Sequence, residues 1–276
     1  MEQTATEKKQ VTRGIQPTQP ESIPNVPRSY PFPTEVISLP SKGLCYSEDN
    51  PLSKGEITIK LMTAKEEDIL TNAALIRKGI QLDKLLESII IQPGVNINDL
   101  LIGDKNAILI TSRILAFGPT YDVKIRDPFD DDDEVEVSID LSKIKIKDVD
   151  ESQLNRSNEY EYILPISKTP IKFKLLTHGD EMAINKDIEA STKALKQGNE
   201  ITARYRRIIV EINGNRDLST ISEFVLNKFL AGDSRALRKY MNSITPDLDF
   251  TFEYTNPQTG DTEALPIPFG SDFFYP

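Results

Sequence analysis

The chain has 276 residues, of which 38% are hydrophobic, and this length allows one large domain or two small ones. Its formal charge of −10 argues against nucleic acid as the main partner, because phosphate contacts need clustered lysine and arginine side chains. A single cysteine excludes a disulfide framework within the chain and fits a reducing compartment.

The first 35 residues are rich in proline, glutamine, threonine and serine and poor in large apolar side chains. Their prolines fix φ and remove backbone hydrogen-bond donors. Such a segment cannot bury enough apolar surface to offset the entropy of ordering it. We therefore predict a disordered arm over residues 1–35. The polar start predicts no signal peptide, and no apolar run approaches the ~20 residues of a membrane span.

A strand pattern followed by an acidic helix start occurs twice. Residues 57–63 and 171–177 share the pattern I-x-[IF]-K-L-[ML]-T and alternate apolar and polar side chains, which predicts half-buried strands. Acidic residues follow in both copies, at residues 66–68 and 180–181, where the positive end of a helix dipole favours them. The two copies therefore predict the same transition from strand to helix.

Each copy continues with a Gly-Asp pair, at residues 103–104 and 232–233. We predict that Asp104 and Asp233 are helix N-caps, whose carboxylates accept hydrogen bonds from the free amides of the first turn. Helices are also expected to fill the longer middle of the second copy, over residues 182–212.

A hairpin then ends each copy. Period-two alternation on both sides of a turn rich in Pro, Gly, Asp and Asn predicts paired strands at residues 121–125 and 134–139, and again at 249–254 and 262–267. The order strand, helices, Gly-Asp helix and hairpin thus occurs twice. The alternative is that these are generic strands and caps without a common origin.

The predicted fold class is α+β, with two related strand–helices–hairpin units in tandem after the Pro-rich arm. The first unit is expected over residues 36–147 and the second over residues 148–276, which include an aromatic C-terminus. The polar segment 141–160 is the expected joint between them.

Motifs of catalysis and cofactor binding are absent from the sequence. Both glycine-rich phosphate loops and the G-x-S-x-G elbow are missing, and one histidine with one cysteine cannot build the usual zinc sites. Cys45 is expected to be a half-buried small hydrophobe and His178 a surface or capping residue, rather than a nucleophilic pair. The acidic run 127–134 does not match a calcium loop, and a solvated hairpin turn is favoured over an ion site. We predict no catalytic residue, no cofactor and no metal.

The C-terminus holds four aromatic residues in its last eight positions. Two interpretations stay open: the aromatic rings close the core of their own domain, or they anchor a partner protein. The partner-binding prediction names Phe269, Phe273, Phe274 and Tyr275.

Five segments carry a resemblance to a known family. They are LPSKG at residues 39–43, TAKEEDIL at 63–70, the Gly-Asp pair at 103–104 with Arg113, GPTY at 118–121 and FFYP at 273–276. Over most of residues 36–276 the chain resembles the baseplate hub and tail assembly proteins of T-even-like phages with contractile tails.

The resemblance implies a role in virion assembly without catalytic residues. The chain would make or chaperone the central hub of the tail, in the host cytoplasm during assembly or in the virion baseplate, through contacts with hub proteins and the tape-measure protein. Some relatives carry Cys-x-x-Cys knuckles in their hairpin turns. Residues 127–130 and 256–259 occupy the corresponding turns here without cysteine, so the resemblance implies no metal for this chain.

Three functions are weighed: a structural or assembly protein of the hub, a transient chaperone for the tape-measure protein, and a hydrolase. A hydrolase would use acidic pairs such as Asp180 and Glu181, but adjacent side chains on a helix point in different directions. We predict that the chain is not an enzyme and that its partners are other tail proteins, not nucleic acid or a membrane.

Overall fold

The computed structural model describes residues 32–129, 134–195, 199–257, 259–269 and 273–274. Residues 33–276 group into one compact body. The predicted arm lies outside the described residues as far as residue 31, and its last two residues, Thr34 and Glu35, instead begin the first strand. A boundary between two units at residues 147–148 stays a prediction.

The first half begins with two antiparallel strands and ends with an antiparallel hairpin. Four helices lie between them along the chain. The elements are β1 (Thr34–Ser38), β2 (Glu56–Lys60), α1 (Ala64–Thr71), α2 (Ala73–Lys78), α3 (Gln81–Ile89), α4 (Ile102–Phe117), β3 (Thr120–Arg126) and β4 (Glu134–Asp140). Alternating burial along β2, with Ile57 and Ile59 inside, is what the period-two pattern predicts.

The second half repeats this order with one additional strand. Its elements are β5 (Tyr160–Ile163), β6 (Pro170–Phe173), α5 (His178–Leu195), α6 (Glu200–Ile208), β7 (Ile209–Ile212), α7 (Leu218–Asn227), α8 (Ala231–Ile244), β8 (Thr251–Thr255) and β9 (Thr262–Pro266). Strand β6 lies between β5 and β7 in an antiparallel sheet, and β8 pairs with β9. The predicted α+β class and the strand–helices–hairpin order are confirmed, and both predicted hairpins form.

The prediction of helices over residues 182–212 is wrong at its C-terminal end. Helix α6 ends at Ile208, and the next four residues form β7, in which Ile212 is opposite Ile171 of β6. Ile209 and Ile212 are buried there. The edge of β6 offers both backbone hydrogen bonds and apolar contact to these β-branched residues, which favours a strand over another helical turn.

Helix α4 lies inside the body rather than on its surface. Four consecutive residues, 107–110, are buried, and four consecutive positions cannot share one helix face. Close packing at its start requires Gly103, because a Cβ atom there would lie 2.1 Å from the carbonyl oxygen of Pro246. None of the helices in the described parts of the chain combines the length and the apolar character that crossing a bilayer requires.

Candidate functional site

Both halves contain the same hydrogen-bond network where a strand passes into a helix. Thr63 donates to Glu66 Oε2 through its amide (2.9 Å) and its hydroxyl (2.7 Å), and Lys60 Nζ donates to Glu66 Oε1 at 2.7 Å. The second half repeats these three contacts with Lys174, Thr177 and Asp180. Matching contacts at matching positions favour a duplication over generic strands and caps.

Asp104 anchors the turn between β1 and β2 to helix α4. Its carboxylate accepts hydrogen bonds from the Ser41 amide (2.9 Å), the Ser41 hydroxyl (2.7 Å) and the Tyr46 hydroxyl (2.6 Å). The predicted N-cap role is therefore wrong, because Leu101 is the N-cap and Asp104 lies inside the first turn. Its carboxylate points to the turn, which lies far away in the sequence.

Asp233 has the corresponding role in the second half. Its carboxylate accepts hydrogen bonds from the amides of Ile166 (2.7 Å) and Ser167 (3.1 Å), in the turn between β5 and β6. Here too the N-cap prediction is wrong, since Leu230 is the N-cap of α8. In both halves the Gly-Asp helix therefore binds the strand turn rather than its own first amides.

Ionisable side chains gather around Asp104 in the interior. Cys45 Sγ lies 3.5 Å from the Tyr160 hydroxyl, and Tyr46 accepts a hydrogen bond from the Leu101 amide while it donates to Asp104. Burial raises the pKa of the Cys45 thiol to about 11 and raises the pKa of both tyrosines above the ordinary value. Burial therefore favours the protonated forms of the thiol and of both phenols.

His178 is buried, whereas a surface or capping position was predicted. It is the first residue of α5, and residues 97–101 of the first half cover it. Its amide donates to the carbonyl of Leu100 at 2.7 Å, and its Nε2 lies 3.1 Å from Asp83 Oδ1. The prediction failed because the contact comes from the other half of the chain.

The C-terminal aromatic residues pack on the first half around a buried arginine. Arg113 donates to the carbonyl oxygens of Phe273 (3.2 Å), Gly118 (2.5 Å) and Thr120 (2.9 Å). Its guanidinium carbon lies 5.6 Å from the ring centroids of Tyr121 and Phe273. Arg113 thus joins the C-terminus to residues 118–121, with one carbonyl hydrogen bond and one cation–π contact to Phe273.

The four aromatic residues predicted to bind a partner differ in their exposure to solvent. Phe273 and Phe274 are buried within the chain, which leaves them no side-chain surface for a partner. Phe269 is 44% exposed and packs edge-to-face on Phe250. Tyr275 lies outside the described residues. Partner contact at the C-terminus therefore stays a prediction for Phe269 and Tyr275.

The first hairpin turn contacts strand β8 of the second hairpin. The Tyr254 hydroxyl lies 3.3 Å from Asp127 Oδ2, and the Tyr254 ring stacks on Phe129 with centroids 6.3 Å apart. Among the described residues, no group of three or more His, Cys, Asp or Glu side chains is arranged to hold a metal ion. The contact between this turn and β8 includes a hydrogen bond and an aromatic stack.

Large apolar side chains are exposed on both halves of the chain. On the second half they include Ile163, Ile166, Met182, Ile201, Leu218, Leu226 and Leu230. The sequence does not reveal them, because the helical pattern alone does not show which apolar positions lack a covering element. Such residues mark candidate surfaces for a protein partner.

One family model matches the chain, over residues 39–275, and its description is T4 bacteriophage base plate protein. The match covers both halves, including the turn that Asp104 binds and the aromatic C-terminus. No curated protein and no solved structure is significantly similar to the chain. Because the model spans most of the sequence, the chain belongs to the family of T4 bacteriophage base plate proteins.

Proposed function

We propose that the chain is a structural or assembly protein of the baseplate hub and acts through contacts with other tail proteins, without catalysis. The proposal is supported by which side chains are buried and which are exposed. The groups that could do acid–base or nucleophilic chemistry around Asp104 are buried and bonded to one another, whereas large apolar side chains of the second half are exposed. Membership of the baseplate family supports the same role.

A transient chaperone for the tape-measure protein is the second candidate. The formal charge of −10 favours it, because an acidic surface attracts basic segments of a client protein. Both roles place the chain in the host cytoplasm during assembly. Only the structural role keeps it in the tail of the finished virion.

Quantitative mass spectrometry of purified particles and of infected cells tests the proposal. A fixed stoichiometry with other baseplate proteins in the particles supports a structural hub protein. Association with tail proteins in cells but absence from particles supports a chaperone. A chain that is monomeric in cells and absent from particles contradicts both.

A matched pair of substitutions tests whether the C-terminal surface takes part. Phe269 is 44% exposed and Phe129, in the first hairpin turn, is 42% exposed. We expect Phe269→Ala to weaken co-purification with tail proteins and Phe129→Ala to leave it unchanged. Equal effects of the two substitutions would contradict a specific role of Phe269.

A further inference from the structure

Helices α6, α7 and α8 of the second half frame a groove of about 480 Å³. Ile201, Val225 and Phe229 give it an apolar lining, and Ile201 is 60% exposed. Arg235 and Arg238 also line it, and neither forms an ion pair within the part of the chain that the structure describes. The groove is thus both apolar and positively charged, on a chain whose overall charge is negative.

The first half contains the counterpart of this groove. The pattern N-x-[LF]-L-x-G-D occurs at residues 98–104 and again at residues 227–233, at the starts of α4 and α8. Leu100 therefore corresponds to Phe229. The two aspartates of the pattern, Asp104 and Asp233, bind the strand turns of their own halves, so the match holds in three dimensions as well.

Helices α3 and α6, which form the other wall of each groove, also correspond. Ile90, directly after α3, bridges to Ile59 of β2. Ile209, directly after α6, is opposite Phe173 of β6. Because Ile59 and Phe173 occupy the same position of the repeated strand pattern, α3 and α6 stand at equivalent places.

In the first half this groove is filled by the start of α5. The His178 amide donates to the Leu100 carbonyl at 2.7 Å, and the Ile102 amide donates to the Leu176 carbonyl at 3.3 Å. These two hydrogen bonds make a short antiparallel bridge between the halves. The filled groove shows what kind of element fits here: a strand end that turns into a helix.

Side chains complete the contact. His178 Nε2 lies 3.1 Å from Asp83 of α3, and Glu181 accepts from Lys105 Nζ of α4 at 2.5 Å. Four residues of the first half, Asp83, Leu100, Ile102 and Lys105, therefore contact the start of α5. Their counterparts all line the groove of the second half. These counterparts are Thr202, Phe229, Ala231 and Ser234.

The start of α1 is the counterpart of the start of α5, and it is not covered in this way. Residues 62–68 match residues 176–182, and the shared network of Thr63 and Thr177 fixes the alignment. The exposed residues of this segment are Thr63, Ala64, Lys65, Glu67 and Asp68. Within the residues that the structure describes, the groove of the second half is therefore unfilled, and the start of α1 is an uncovered element of the kind that fills such a groove.

We propose that a second copy of this chain inserts the start of its α1 helix, residues 62–68, into the groove between α6, α7 and α8. The contact repeats between chains the backbone bridge that joins the two halves within a chain, whereas its charged side-chain pairs differ. It goes beyond the proposed function, since self-association does not depend on which tail protein the chain meets.

Charge and fit agree with this occupant. Glu67 and Asp68 are acidic, and Arg235 and Arg238 line the groove. The charges are placed differently from the Lys105–Glu181 pair within the chain, because the counterpart of Lys105 is Ser234, next to Arg235. Several positions differ, because Ala64, Lys65 and Asp68 take the places of His178, Gly179 and Met182. A Cβ at Gly179 would lie 3.0 Å from Asn98 Cβ, so the counterpart residue 227, which is exposed at the end of α7, has to move by a few tenths of an ångström.

The contact joins two different surfaces of the chain. In a pair of chains, one groove and one α1 start are used, and the other groove and the other α1 start stay free. Contacts of this head-to-tail type continue until a ring closes or a filament forms. We therefore expect association that grows with concentration rather than a closed two-fold dimer.

Sedimentation of the full-length chain at concentrations up to about 0.5 mM tests the proposal, because an interface of one groove is small and weak. The groove variant is Arg235→Glu with Arg238→Glu, and the helix variant is Glu67→Lys with Asp68→Lys. Each variant by itself places like charges on the two sides of the contact, and we expect at least about tenfold weaker self-association. Mixing the two variants restores opposite charges at the contact and should restore association.

Lys239→Glu is the matched control, because Lys239 is exposed on the same helix α8 and does not line the groove. It should associate like the unchanged chain. The proposal is overturned if the unchanged chain stays monomeric, or if the mixture does not associate although both variants fold. It is also overturned if a photo-crosslinker at Ile201 captures an acidic segment of another tail protein instead of residues 62–68; that result would leave the proposed function intact.

Discussion

Asp104 and Asp233 occupy matching positions on α4 and α8 and bind matching strand turns, but their pKa values move in opposite directions. At Asp104 the loss of solvent outweighs the hydrogen bonds from Tyr46 and Ser41, and burial raises the pKa of the carboxyl. At Asp233 burial also raises the pKa, but the hydrogen bonds from Ile166 and Ser167 outweigh it, and the net shift is downward.

These opposite shifts lead to opposite dependences of stability on pH. The folded pKa of Asp104 lies above the ordinary value of 3.8, so its contribution is fully present below that pH and is lost as pH rises through the folded pKa. The folded pKa of Asp233 lies below 3.8, so its contribution is present above that pH and is lost as pH falls.

Urea unfolding of Asp104→Asn and Asp233→Asn as a function of pH checks this pair. We expect Asp104→Asn to remove the component of the unfolding free energy that falls with rising pH. Asp233→Asn should remove a component that rises with pH. A change of the same sign in both variants would show that the environments of the two carboxylates do not differ as described.

Glu66 provides a second test, at the junction between β2 and α1. Burial raises the pKa of this carboxyl, but hydrogen bonds from Lys60, Ser88 and Thr63 outweigh burial and lower the pKa to about 2. We expect Glu66→Gln to reduce the unfolding free energy at pH 7 by roughly 3 kcal/mol. The loss should disappear as pH falls from 4.5 to about 2, where the carboxylate becomes protonated in the folded state as well.

Asp180→Asn is the matched control for Glu66→Gln, because it removes the carboxylate of the equivalent network. The Lys174 side chain is 29% exposed, against 13% for Lys60, so solvent screens the second ion pair more strongly. We expect a loss of about 1 kcal/mol. Equal losses for the two variants in chemical denaturation would contradict the difference in burial.

The sequence predicts those elements whose signals are local. The alternating pattern of β2 and the Gly-Asp starts of α4 and α8 lie within a few residues of the structure they produce. The failed predictions involve contacts between distant segments. Asp104 binds Ser41, which is 63 residues away, so a carboxylate suited to an N-cap is used for another purpose. No local pattern distinguishes these two roles.

The same reason explains the error at β7 and the burial of Phe273, which the sequence alone did not settle. The isoleucines 209 and 212 continue the apolar pattern of α6, and only the free edge of β6 makes them a strand. For Phe273 the sequence leaves open whether the ring closes the core of its own domain or anchors a partner. The ring is buried and contacts Arg113, whose three carbonyl acceptors come from two separate segments.

Arg113 and Phe273 together are expected to determine how firmly the C-terminus is held. Phe273→Ala removes a buried ring that contacts Tyr121 and Phe269, and we expect a loss of about 3–5 kcal/mol in unfolding free energy. Arg113→Met removes the donor to three carbonyl groups, and we expect a loss of about 2–3 kcal/mol. Hydrogen exchange should show faster exchange near residues 118–121 in both variants.

Arg216→Met is the control for Arg113→Met. Arg216 is exposed and donates to the carboxylates of Glu159 and Glu211, so its contribution is screened by solvent. We expect a loss below about 1 kcal/mol. If Arg216→Met destabilised the chain as much as Arg113→Met, burial of the guanidinium would not be the cause.

The two glycines of the Gly-Asp pairs give a last test, because each meets a different kind of neighbour. A Cβ at Gly103 would lie 2.1 Å from the backbone oxygen of Pro246, and this oxygen cannot rotate away. Gly103→Ala therefore has to displace α4 from residues 246–247, where Asn106 also donates to Asp247. We expect a loss of about 3 kcal/mol, measured by thermal or urea unfolding.

At Gly232 the nearest neighbour of an added Cβ is Ile166 Cδ1, at 2.3 Å. This atom is the far end of an exposed, flexible side chain, which can rotate to make room. Alanine also has a helix propensity about 1 kcal/mol more favourable than that of glycine. Gly232→Ala should therefore leave the stability unchanged or raise it slightly. A large loss at Gly232 with no loss at Gly103 would mean that α4, rather than α8, has the freedom to move within the body.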